Sequence, residues 1–105
     1  MAKGILYVET HALPEELEAY HQWYDKVHLK DFLDHVPGVV SARRYTPLDD
    51  RHPFVTIYEI EADDLDAVRA GMATFGQSMA ETVGVDHSKP RASRFYELRT
   101  TYPSS

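Results

Sequence analysis

The chain has 105 residues, no cysteine and a formal net charge of −6, with 43% hydrophobic and 11% aromatic residues. That length fits a single domain over residues 1–105 with one modest core, and the lack of cysteine excludes a disulfide framework and a thiolate nucleophile. The acidic balance, with no basic cluster beyond Arg43-Arg44, argues against a nucleic-acid partner. No apolar run approaches the roughly 18 residues of a membrane span. The opening Met1-Ala2-Lys3-Gly4-Ile5 lacks a signal-peptide pattern, so a cytoplasmic protein with no membrane partner is expected.

Ile5-Leu6-Tyr7-Val8-Glu9 reads as a first strand. A turn at His11-Ala12-Leu13 leads to Pro14, which suits a first helical position, and Glu15 and Glu16 suit the positive end of the helix dipole. This helix is expected to end between Asp31 and His35, because Pro37 pushes Val36 out of the helical region and Gly38 completes the break. Val39 to Tyr45 and Phe54 to Glu61 read as a hairpin around the polar turn Pro47-Leu48-Asp49-Asp50-Arg51-His52-Pro53.

Asp63 is positioned to cap a second helix with the apolar stripe Leu65, Val68, Met72, Phe75, Met79 and Val83. Gly71 and Gly76 each weaken it by about 1 kcal/mol relative to alanine. A loop from Gly84 to Pro90 precedes a last strand, Ser93 to Arg99, and a frayed tail, Thr100 to Ser105. The order β-α-β-β-α-β is the split arrangement of ferredoxin-like α+β folds, a four-stranded antiparallel sheet with both helices on one face.

The third strand is apolar on both sides, with Phe54, Thr56, Tyr58 and Ile60 pointing one way and Val55 and Ile57 the other. A helix-free face of that character calls for a cover, and a second copy of the same sheet supplies it, so a homodimer is expected.

The first helix carries the residues of chemical interest. Counting about 100° per residue from Leu13 puts Tyr24, His28 and Asp31 at about 20°, 60° and 0°, on the buried stripe. A phenol, an imidazole and a carboxylate on adjacent turns form either a satisfied polar network or the wall of a pocket. Imidazole titrates near 6.5 and serves as acid or base. Asp31 is spaced to orient it, and Tyr24 to donate a hydrogen bond to a carbonyl or oxyanion. The plainer alternatives are a core histidine, a core tyrosine and a solvated aspartate.

Trp23, Phe32, Phe95 and Tyr96 are either pocket lining or core filling. Arg43 and Arg44 face opposite sides of one strand; Arg44 is assigned to Glu59 across the hairpin, leaving Arg43 to meet a substrate carboxylate. His21, His28 and His35 do not form a metal site. Seven helical residues rise about 10.5 Å, whereas one ion needs ligands about 2 Å away.

The pattern Trp23-Tyr24-x-x-x-His28-x-x-Asp31-Phe32-Leu33, then Val36-Pro37-Gly38-Val39-x-x-Ala42-Arg43-Arg44-Tyr45, then Pro53-Phe54-Val55-Thr56-Ile57-Tyr58-Glu59, resembles the EthD-like branch of the dimeric α+β barrel superfamily. The resemblance implies a barrel of two sheets, a pocket in each subunit between helices and sheet, and a working histidine at the place of His28. The expectation is a small enzyme without cofactor or metal, doing acid–base chemistry on a small hydrophobic or aromatic carbonyl compound, as an isomerase, cyclase or decarboxylase. His28, Tyr24 and Asp31 are the catalytic candidates, and Trp23, Phe32, Arg43, Tyr58 and Phe95 the substrate-binding ones. The alternatives are a cofactor-free monooxygenase acting on a phenol, and a non-catalytic binding or accessory dimer.

Overall fold

The computed structural model describes residues 1–78 and 82–103. Alternation along the first strand, β1 (Ala2–Thr10), turns Gly4, Leu6, Val8 and Thr10 inward and leaves Ile5, Tyr7 and Glu9 on the other face. After a 3-10 turn at Pro14–Glu16, the first helix runs as three pieces: α1 (Leu17–Trp23), a π-helical turn (Tyr24–His28) and α2 (Leu29–His35). There follow β2 (Val39–Tyr45), β3 (Phe54–Ala62), α3 (Leu65–Ser78) and β4 (Ala92–Glu97).

The strands form one antiparallel sheet in the order β2-β3-β1-β4. This is the expected ferredoxin-like α+β arrangement, with helices on one face. Leu6 and Val8 of β1, Tyr58 and Ile60 of β3 and Val39 of β2 pack there against Phe32, Val36, Val68 and Met72. Fully burying such a side chain contributes about 1.5–3 kcal/mol. No helix among the described residues is long and apolar enough to cross a membrane.

Two glycines are demanded by the backbone. Gly38 closes α2 at φ +96°, where a side-chain carbon would lie 2.6 Å from Val68 Cγ2. Gly84, at φ +72°, sits equally tightly against Tyr20 and the carbonyl of Glu16. Its own carbonyl accepts a hydrogen bond from Leu13 N–H (2.8 Å), and His11 O accepts one from Asp86 N–H (2.7 Å). The loop after α3 thereby straps the start of the first helix to the sheet.

Several details depart from the sequence expectation. Asp64, rather than Asp63, caps α3, its Oδ1 accepting hydrogen bonds from the N–H groups of Asp66 and Ala67. The helix runs through Gly71 and Gly76 without a break, held by its apolar side. Val83 lies beyond its end, and Met79, Ser104 and Ser105 lie outside the described residues. On the helix-free face Arg43, not Arg44, pairs with Glu59, at 2.6 Å. Arg43 stands opposite Ile57 in the ladder and Glu59 lies two residues along the same face, whereas Arg44 points to the helices. That outer face mixes Ile5, Tyr7, Val55 and Ile57 with the pairs Arg43–Glu59 and Arg94–Glu9.

Candidate functional site

The π-helical turn places the site. Its closing hydrogen bond runs from Leu29 N–H back five residues to the carbonyl of Tyr24, so one residue more than an α-helical turn is accommodated. Regular winding would carry Phe32 about 100° away from the axis of Leu13 and bring Asp31 onto it. With the extra residue, Tyr20, Tyr24, His28 and Phe32 are all buried, while Asp31 is half-exposed. Among the described residues no hydrogen bond joins Asp31 to His28, whose Nδ1 is buried without a partner. The expected orienting contact is therefore replaced by a longer-range one. The carboxylate only favours the charged imidazole through space.

Aromatic rings position the imidazole instead. Trp23 stacks on it at 4.5 Å, and Tyr24 and Phe32 meet it edge-on at 4.8 and 5.1 Å. Burial, reinforced by the positive charges of Arg91 and Arg44, lowers the pKa of His28 to about 4. At neutral pH His28 is therefore uncharged, one ring nitrogen able to accept a hydrogen bond and the other to donate one.

Below the ring, a cavity of about 240 Å³ opens between the helices and the sheet. Leu6, Val8, Phe32, Met72 and Phe95 form its apolar wall, and Tyr24, His28, Tyr58, Arg91 and Ser93 its polar one. The Tyr58 hydroxyl is buried with no hydrogen-bond partner among the described residues, and burial raises its pKa well above the ordinary phenol value, so it stays a neutral donor. Buried polar groups are normally paired. His28 and Tyr58, which both line this cavity, each carry a buried polar atom without a partner among the described residues.

Of the expected substrate-binding residues, Phe32, Tyr58 and Phe95 line the cavity. Trp23 does not; it stacks on His28 and meets the ring of Tyr24 edge-on at 5.4 Å. Arg43 lies on the opposite face of the sheet and cannot reach the cavity. Tyr96 also faces away, since it follows the inward Phe95 by one residue.

Sequence reading missed Arg91 and Arg44. Arg91 shares the parity of Ser93 and Phe95, which would have revealed it had β4 been started earlier. The Arg44 guanidinium lies 4.3 Å from the Tyr24 ring centre and 5.1 Å from that of Tyr20. It also donates to Asp25 Oδ1 at 2.7 Å and lies 3.1 Å from His21 Nδ1. It thus braces the first helix against β2 directly behind the site. Among the described residues no cluster of side chains suits a metal ion.

With this geometry in place, three solved structures are similar over nearly the whole chain. A candidate monooxygenase of Shewanella loihica superimposes with a TM-score of 0.66 at 15% identity, covering 96% of this chain and 99% of that one. A Streptomyces coelicolor monooxygenase from the gene ActVA-Orf6, solved with nanaomycin D, has a TM-score of 0.63 at 15% identity, covering 99% and 93%. SnoaB, a cofactor-independent oxygenase of Streptomyces nogalater, has a TM-score of 0.54 at 18% identity, covering 98% and 97%. The shared fold is established. No family model matches the sequence, and no curated protein matches it either.

Proposed function

We propose that this chain is a cofactor-independent monooxygenase of a small phenolic or aromatic compound, working as a cytoplasmic homodimer. The observation that carries the reading is the neutral, ring-clamped His28 facing an apolar cavity beside the unpaired hydroxyl of Tyr58. Two of the structural neighbours are described as a monooxygenase and a cofactor-independent oxygenase, which supports this reading over isomerisation, cyclisation or decarboxylation. Placement in the EthD-like branch rests on the motifs between Trp23 and Glu59 alone.

The phenol donates its O–H to the neutral His28 and passes it the proton as the ring is oxidised. The charges of Arg91 and Arg44 that disfavour an imidazolium favour the phenolate. Tyr58 and Tyr24 donate hydrogen bonds to the oxygen that bears the charge. The phenolate itself is the reductant for dioxygen. With a free para position, one oxygen atom ends in the quinone product and the other leaves as water, so phenol plus O₂ gives quinone plus H₂O. The helix-free face, with Ile5, Tyr7, Val55 and Ile57, meets its copy in the dimer.

Oxygen uptake with 1-naphthol and dihydroxynaphthalenes tests the chemistry. One O₂ consumed per quinone formed, lost in His28→Gln, is expected. Binding without oxygen uptake would refute the oxygenase and favour the carrier or acid–base alternatives. Light scattering that gives the mass of one chain would refute the dimer.

A further inference from the structure

Among the described residues Arg91 is the one lining side chain of the cavity that carries a permanent charge, and none of them answers it. Arg43, Arg44, Arg51 and Arg94 each hold a carboxylate, and Arg69 lies over the ring of Phe95. Arg91 has no ion pair or hydrogen bond among the described residues, and no described lining residue of its cavity is acidic. Its charge is felt at both His28 and Tyr58, so it faces the same space as they do. Its side chain is exposed, which puts it at the mouth, with Ser93 next to it on the lining.

The cavity is therefore polarised along its length. A cation and a hydroxyl stand at the open end, and an imidazole and a phenol hydroxyl, both buried and unpartnered, stand inside. Leu6, Val8, Phe32 and Phe95 lie between. At about 240 Å³ it falls below the roughly 300–1,000 Å³ of pockets that take drug-sized ligands, which limits the occupant to one or two fused rings.

We propose that Arg91 and Ser93 form an anion subsite, so that the ligand is a small hydroxylated aromatic acid, its carboxylate at Arg91 and its hydroxyl or carbonyl at His28 and Tyr58. This names the substrate class of the same site and rests on the reading that the cavity is a substrate pocket. An arginine suits the purpose because its planar fork meets a carboxylate through two parallel N–H donors. The role expected of Arg43 falls instead to an arginine on the helix side of the sheet.

Anaerobic titration calorimetry of the full chain with 5-hydroxy-1-naphthoate, which is 1-naphthol with a carboxylate on the far ring, and with 1-naphthol itself tests this without turnover. The acid is expected to bind roughly ten- to a hundredfold more tightly, the range of a charge-assisted hydrogen-bonded pair, and the difference should narrow at high salt. Arg91→Gln should bring the two ligands within about threefold, the loss falling far more on the acid than on naphthol, and Arg91→Lys should restore part of the preference. Equal affinities in the unaltered protein, an equal loss of both ligands in Arg91→Gln, or failure of both to bind would each overturn the subsite. Binding as expected without oxygen uptake would uphold the subsite and remove the oxygenase. Oxidation of naphthol with no preference for the acid would do the reverse.

Discussion

One face of one sheet carries two kinds of interior. Towards α3, Val36, Val39, Ile60 and Val68 close on each other as an apolar core. Beneath the π-helical turn, Tyr20, Tyr24, His28 and Tyr58 are as deeply buried but polar, and only part of their bonding is met within the chain. Tyr20 is satisfied by Thr10, its hydroxyl 2.6 Å from the threonine oxygen, whereas Tyr58 O–H and His28 Nδ1 are not. Leaving a buried polar group unpaired costs about 1–3 kcal/mol. The first region supplies stability, and the second keeps polar groups unpaired at the expense of some of it.

The largest effect expected from breaking this division is on turnover. His28→Gln should reduce oxygen uptake with a phenolic substrate by about 10²–10⁴-fold, with the urea midpoint near that of the unaltered protein. If the variant instead unfolds, the polar region belongs to the stabilising half and the comparison collapses. Ile60→Ala should do the opposite, lowering unfolding free energy by about 2–5 kcal/mol in urea titration while its ligand affinity, measured where it is still folded, is retained.

The third effect is a pH dependence. His28 has a folded pKa of about 4, below the ordinary 6.5. Above pH 6.5 both folded and unfolded forms are neutral, and its contribution is constant. As pH falls from 6.5 to about 4 the unfolded chain takes up a proton that the folded one refuses, so stability falls with a limit of about 3 kcal/mol. Below about 4 both forms are charged and the loss stops. Chemical denaturation of His28→Gln across pH 4–7 should lack this slope; an unchanged slope would assign it elsewhere.

The smallest effect sharpens the contrast most. Tyr58→Phe deletes a buried hydroxyl without a partner, so the protein should be unchanged or about 1 kcal/mol more stable, yet bind phenolic ligands more weakly. A marked loss of stability on thermal denaturation would show that Tyr58 has a structural hydrogen bond and that the polar region is closed.

Much of the site was legible before any coordinates. Spacing of four residues between Tyr24 and His28 put them on one stripe in either kind of helix, and parity along β3 sent Tyr58 to the same side as Thr56 and Ile60. The readings that failed share a cause. Asp31 was placed by a regular 100° step that the π-helical turn interrupts. Arg43 and Arg44 were exchanged because a strand pattern gives parity but not which parity faces inward, and a bulge between Val39 and Ser41 shifts the register just upstream. Arg91 was overlooked because the last strand was read from Ser93, whereas it begins at Ala92 and Arg91 immediately precedes it.

The sequence by itself determined the element order, and with it a ferredoxin-like sheet with helices on one side, because apolar periodicity and Pro–Gly breaks act locally. It also determined that a histidine and two tyrosines would be buried near one another. Only the tertiary structure decided which polar atoms remain unpaired and which arginine faces the cavity. Those outcomes depend on one extra residue in a helical turn and one bulge in a strand. The free-energy differences behind such irregularities are shared among residues distant along the chain, so no local pattern records them.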